Sequence, residues 1–208
     1  MRIKKLKEGS EKLTKEKSRI IAHTIGDGCA YITRHNYNIK YEVSDIELLN
    51  SFERDMIEVY GLKLTHGFKA SGKTGKLIPF VRLRSKLAYE DLLRYANYFS
   101  KDWKIKKLLL NSSKEIKREF IRAFSDDEGS VVKCKKSGVI RLYSINLNGL
   151  NQIKDLLSEF GIGGKISSGY GLKRNVFAIV IKDLDNFNKK VGFNLQRKQE
   201  KLNQLINF

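Results

Sequence analysis

Proline occurs once among the 208 residues, at Pro79, and cysteine twice, at Cys29 and Cys134. A single proline excludes the proline-rich linkers that hold domains apart. Two cysteines are too few for a disulfide framework or a zinc site. Each lies in a predicted strand that follows an acid-glycine pair, where a small buried side chain is expected. A reducing, cytoplasmic setting fits that usage. The histidines are His23, His35 and His66, and their spacing offers no metal-ligand set and no Ser/His/Asp arrangement. No apolar run approaches the ~18 residues of a membrane span. The opening stretch, 1–17, is basic and polar, without the apolar core of a signal peptide. A membrane partner is therefore not expected. Acid is scarce as well: 23 Asp+Glu face 41 Lys+Arg, a net charge of +18. Such a field favours a polyanion, and nucleic acid is the obvious one.

What the sequence does contain is a repeat. Ile20-Ile21-Ala22-His23-Thr24-Ile25-Gly26-Asp27-Gly28 returns as Ile121-Arg122-Ala123-Phe124-Ser125-Asp126-Asp127-Glu128-Gly129. Both are helix-like runs that end in a carboxylate followed by glycine. Acids at helix C-termini oppose the macrodipole, so two at matched positions ask for a compensating cation. Brought together, Asp27 and Glu128 would suit metal chemistry.

The flanking patterns repeat too. After Gly28, strands are predicted over 29–33 and 38–44. A helix follows over 45–60, carrying Ile46, Leu49, Phe52, Met56 and Val59 at helical spacing and ending at Gly61. After Gly129 come strands over 130–135 and 139–144, then a helix over 147–160 ending at Gly161. Two further strands follow in each half, over 63–69 and 78–84, then 165–168 and 175–181. Their tips hold Ser71-Gly72-Lys73-Thr74 and Gly169-Tyr170-Gly171. The first tip lacks the spacing of a phosphate-binding loop. Closing helices are predicted over 89–99 and 184–191, and a last one over 196–207. The fold class is α+β: tandem α-β-β-α-β-β-α units with pseudo-twofold symmetry. The expected division is a basic segment 1–17, a first unit 18–99, a linker 100–112 anchored by Trp103, and a second unit 113–208. Duplex DNA has an approximate twofold axis too, so such a chain can engage both strands as a monomer.

These residues resemble the LAGLIDADG homing endonuclease family, in its single-chain, two-motif class. The resemblance rests on both motifs, on the repeated pattern behind each, and on the closing Gly192-Phe193, Lys198-Gln199 and Lys201-Leu202. It implies antiparallel sheets forming a DNA-binding saddle. It implies motif helices packed at the pseudo-dyad through small residues, here Ala22, Gly26 and Ala123. Asp127 stands where the first motif has Gly26, a departure. It leaves three readings: tilted outward, close behind the metals, or a plain hydrogen-bonded helix end. Asp27 and Glu128 are implied to bind two or more Mg²⁺ ions, with Gly26 and Asp127 beside them, and to cut both strands of a long target leaving short 3′ overhangs. Lys133, Arg84 and Lys182 are the basic candidates near the scissile phosphates. An RNA maturase acting on intron RNA, or a catalytically silent DNA-binding regulator, are the alternative roles.

DNA contacts are expected on the outward faces of the strands, since alternation gives each strand one buried and one outward face. Ile39, Tyr41 and Val43 read as buried. The outward candidates are Tyr31, Thr33, Lys40, Glu42, Lys69, Arg82 and Arg84 in the first half. In the second half they are Lys133, Lys135, Arg141, Tyr143, Tyr170 and Lys173. Lysines there would touch phosphate, and arginines could pair with guanine.

Overall fold

The computed structural model describes residues 5–72, 75–134, 137–172 and 174–207. Lys73, Thr74, Lys135 and Lys173 lie outside the described residues. The first unit runs α1 (Lys15–Ile25), β1 (Gly28–Thr33), β2 (Asn36–Glu42), α2 (Ile46–Tyr60), β3 (Thr65–Ala70), β4 (Leu77–Arg84) and α3 (Lys86–Leu93). A short ribbon of β5 (Ala96–Asn97) and β6 (Lys104–Ile105) leads to α4 (Lys107–Leu110). The second unit runs α5 (Lys114–Glu128), β7 (Gly129–Lys133), β8 (Gly138–Ser144), α6 (Leu147–Ser158), β9 (Lys165–Tyr170), β10 (Val176–Ile181) and α7 (Leu184–Lys190), with α8 (Gln196–Ile206) last.

The repeat is a structural one. Each unit folds its strands into a four-stranded antiparallel sheet, in the orders β1-β2-β4-β3 and β7-β8-β10-β9. The registers match: Gly28 pairs with Tyr41, and Gly129 with Leu142. Local chemistry starts each helix. Thr14 caps α1, Asp45 α2, Ser113 α5 and Asn146 α6, each through a side-chain oxygen that accepts a backbone N–H. The sheets lay one face on the helices. Ile39, Tyr41, Val81 and Leu83 fill that side in the first unit, and Val131, Ile140, Leu142 and Ile179 in the second.

Most element bounds fall within one or two residues of expectation, and two segments differ more. The helix predicted over 89–99 starts at Lys86 and ends at Leu93. Ser85 caps it early, accepting from the Ala88 N–H. The chain then turns, and Ala96 pairs with Ile105. Trp103 holds this ribbon to the second unit. Its ring lies 5.7 Å from Phe124, and its indole N–H donates to Ser144 at 3.3 Å. A Cβ on Gly149 would sit 2.4 Å from the indole, so glycine is what lets Trp103 lie flat on α6.

The units meet along α1 and α5. Ile20, Ile21, Ala22, Phe120, Ile121, Ala123 and Phe124 are all buried in the shared core. Polar ties cross the seam. Ser18 donates to the Ile116 carbonyl at 2.7 Å, and Arg19 bonds Asp55 from its own unit and Glu119 from the other. Gly26 and Asp127 meet where the two helices end. A Cβ on Gly26 would lie 2.5 Å from an Asp127 carboxylate oxygen and 2.8 Å from the Asp127 Cβ. The small residue is thus needed, and its partner is the aspartate that departs from the motif.

Gly26→Ala should therefore destabilise the fold by about 1–3 kcal/mol through overpacking. Thermal unfolding should fall by several degrees, against almost no change for Gly163→Ala, where nothing lies within 4 Å. Equal melting temperatures for the two variants would show that the seam is looser than described.

Candidate metal centre and nucleic-acid interface

The seam sets the site. α1 ends at Ile25 and places Asp27 in the turn just beyond it, and α5 ends on Glu128 itself. Both acids thus stand at the negative ends of helices. Each is harder to ionise than an ordinary carboxyl. Loss of hydration, then the nearby Asp27 and Asp127, push Glu128 up to about 8, with Lys198 pulling the other way. Asp27 is reached by solvent, yet protein atoms crowd its carboxyl. That desolvation, with Asp127, raises it to about 6, against the opposing charges of Lys198 and His23.

Asp127 turns inward. His23 Nδ1 lies 3.0 and 3.1 Å from its two oxygens, and the Tyr41 hydroxyl donates to one of them at 2.6 Å. Its side chain is fully buried. Burial alone would lower the His23 pKa, but the Asp127 carboxylate outweighs it and the net shift is upward. Both Asp127 oxygens are thus held by the first unit.

Asp126 ties α5 to the start of α8. It accepts from the backbone N–H groups of Asn194 and Leu195, each at 3.0 Å. Burial raises its pKa to about 6. Lys198, from α8, donates to the carbonyls of Ser125 at 3.3 Å, Asp126, and Asp127 at 3.5 Å. Those carbonyls belong to the last turn of α5, where Ser125 also accepts the Gly129 N–H, and an ammonium there opposes the macrodipole directly.

The three basic candidates stand elsewhere. The charges acting on Asp27 and Glu128 include Lys198. Arg84 lies three residues along β4 from Val81, whose row passes through Tyr41 to Gly28. That is roughly 10 Å of strand. Lys40 and Arg82 sit one residue from that row and pair with each other. Lys182 follows β10 and lines a separate cleft with Gly163, Gly164, Lys165 and Asp183. Lys133 corrects the expected alternation. It pairs with Gly138 and shares a face with Val131, so it belongs to the helix side of its sheet. It reaches solvent because β7 ends there.

The remaining outward candidates are brought together. Register puts Tyr31, Thr33, Lys40, Glu42, Lys69, Arg82 and Arg84 on one face of the first sheet. Glu42 holds Lys40 and, at 3.1 Å, Lys69. On the second sheet Arg141 lies 5.4 Å over the Tyr170 ring, and Tyr143 meets Tyr170 edge-on at 5.5 Å. Val43 is only half-buried, beyond the end of β2.

A LAGLIDADG-like domain matches residues 115–192, the body of the second unit. The first unit repeats its strand order and register about the same seam. The second unit is thus similar to a LAGLIDADG-like domain. Solved structures extend the likeness across both units. The homing endonuclease I-DmoI, in complex with DNA and Mn, is 15% identical with a TM-score of 0.60, covering 86% of this chain and 97% of that one. The homing endonuclease I-WcaI, bound to its DNA recognition sequence, is 16% identical with a TM-score of 0.68, covering 91% and 87%. Full-length DUF199/WhiA from Thermatoga maritima is 14% identical with a TM-score of 0.63, covering 97% of this chain and 61% of that one. Comparison with curated proteins by sequence finds no match.

Three residues around this site carry roles that the sequence reading does not assign. Lys198 left a trace, as a lysine on the same helix face as Leu195 and Leu202, which are buried. Tyr41 read only as core. Phe80 read as neither, though Lys40 lies 4.2 Å over its ring on the outward face.

The raised acids make a stability prediction. Their folded pKa values exceed the unfolded ones, so their contribution is full at low pH and is lost as pH rises through about 4 to 8. Without divalent metal, Glu128→Gln should melt higher than the wild type, and the gap should widen from pH 5 to pH 9. A gap independent of pH would mean that Glu128 is not held in this unfavourable state.

Proposed function

We propose that this chain is a site-specific, divalent-metal-dependent DNA endonuclease that acts as a monomer on duplex DNA. The observation that carries this reading is the pairing of Asp27 and Glu128. They come from matched motifs in two units, each beside its own sheet, and they repel one another in the absence of a cation. Such an arrangement destabilises the protein and calls for a ligand of positive charge.

The donor set suits Mg²⁺. Among the described residues no group of three or more His, Cys, Asp or Glu is placed to cage an ion. Mg²⁺ does not need one, because it takes one or two carboxylates and keeps several waters. Asp27 and Glu128 would supply the carboxylates, with the backbone carbonyls of Gly26 and Asp127 nearest to them. When bound, the metal would activate a water and neutralise the leaving oxygen. The chain's own residues do the rest. Lys198 and His23 keep the acids closer to ionisation than their burial would allow. The His23–Asp127–Tyr41 cluster holds the turn that carries Asp27 against α5. The two outward sheet faces, with their excess of Arg and Lys, hold the duplex across the helix ends.

The test is a library of duplex targets incubated with Mg²⁺, then with Ca²⁺ to follow binding. The wild type should select and cut a defined site on both strands. Asp27→Asn and Glu128→Gln should each abolish double-strand cutting, with affinity changed by less than a few-fold. Tight, selective binding with no cutting by the wild type would overturn the nuclease reading in favour of a silent DNA-binding protein. Cutting that survives both substitutions would overturn the assignment of the acids.

A further inference from the structure

We infer that Arg82 and Arg141 each read one guanine, on opposite sides of the centre of the target. This deepens the DNA-binding reading above and depends on it.

The two arginines occupy corresponding rows. Arg82 pairs with Lys40, which pairs with Cys29, the residue after Gly28. Arg141 pairs with Ser130, the residue after Gly129. Each row therefore lies one step outward from the glycine that follows a candidate catalytic acid. Both arginines also stand on inner strands of their sheets, Arg82 on β4 and Arg141 on β8. An inner strand meets the middle of a groove, where base edges lie. Edge strands such as β3, with Lys69, meet the rim, where phosphates lie.

Each guanidinium is set beside an aromatic ring on the outward face. Arg82 lies 5.9 Å over Phe80, and Arg141 lies 5.4 Å over Tyr170. Gly67 makes room for the first ring, since a Cβ there would come within 2.5 Å of Phe80. In both arginines Nε is buried and has no hydrogen-bond partner. Leaving such a donor unmet is costly and asks for a partner such as a water or a bound group. Neither arginine is in an ion pair among the described residues, whereas the neighbouring Lys40 and Lys69 are both held by Glu42. The rings restrict the stems and present the planar forks. A planar fork on an inner strand matches the O6 and N7 acceptors of guanine in the major groove. Lysine has no such fork.

The experiment is in vitro selection of bound duplexes in Ca²⁺ with the wild type, Arg82→Ala, Arg141→Ala, Arg82→Lys, Arg141→Lys and Lys69→Ala. Wild-type sites should carry one fixed guanine on each side of the centre. Each arginine variant, the lysine versions included, should lose preference at its own guanine by about tenfold or more and keep preference elsewhere. Lys69→Ala should weaken all sites alike. Uniform weakening by Arg82→Ala and Arg141→Ala, or selected sites without those guanines, would overturn the inference while leaving DNA binding intact. Failure of the wild type to select any duplex would overturn the DNA-binding reading itself.

Discussion

The ends of α1 and α5 approach more closely than any side chain at position 26 would permit. Gly26 lies against the Asp127 side chain, and an added Cβ would collide with it. That contact fixes where the helices stop, and so where Asp27 and Glu128 stand. It also fixes the two sheets, because β1 and β7 begin immediately after those acids. The candidate metal centre and the sheet faces on either side are therefore consequences of one packing constraint.

The same constraint creates an electrostatic problem. Asp27, Asp126, Asp127 and Glu128 gather where two helix dipoles end, in a place short of water. The chain answers with two buried basic groups, one on α1 and one on α8. His23 pairs with Asp127 across the seam, and Lys198 reaches back from α8 to the last carbonyls of α5. Asp27 and Glu128 receive only part of this compensation and stay hard to ionise. The repeat is symmetric in its backbone and asymmetric here. Only the second motif carries the aspartate, only the first carries the histidine, and the pair functions as one unit.

Much of this was legible in the sequence. The repeat showed as matched glycines, Gly28 with Gly129 and Gly61 with Gly161, at the ends of matching periodic segments. The outward face of the first sheet followed from strict alternation through Lys40 and Glu42, and through Arg82 and Arg84. Lys133 was misplaced because alternation was extended along β7 without anchoring it to Val131, which is buried. The end of α3 was missed because the apolar run through Tyr95 and Ala96 serves a strand whose partner, Ile105, lies beyond a turn. Lys198, Tyr41 and Phe80 were not assigned because their roles depend on contacts between elements far apart in the chain. Tyr41 and Asp127 are 86 residues apart, and Lys198 and Asp126 are 72 apart. No local period encodes such a pair.

The central claim is that Asp27 and Glu128 form one cation site, and Mn²⁺ binding to the protein–duplex complex tests it most directly. Electron paramagnetic resonance of Mn²⁺ titrated into the complex should show bound ion with the wild type. It should show a large loss with either Asp27→Asn or Glu128→Gln, at unchanged affinity for DNA. Bound Mn²⁺ that is undiminished in both variants would contradict the account.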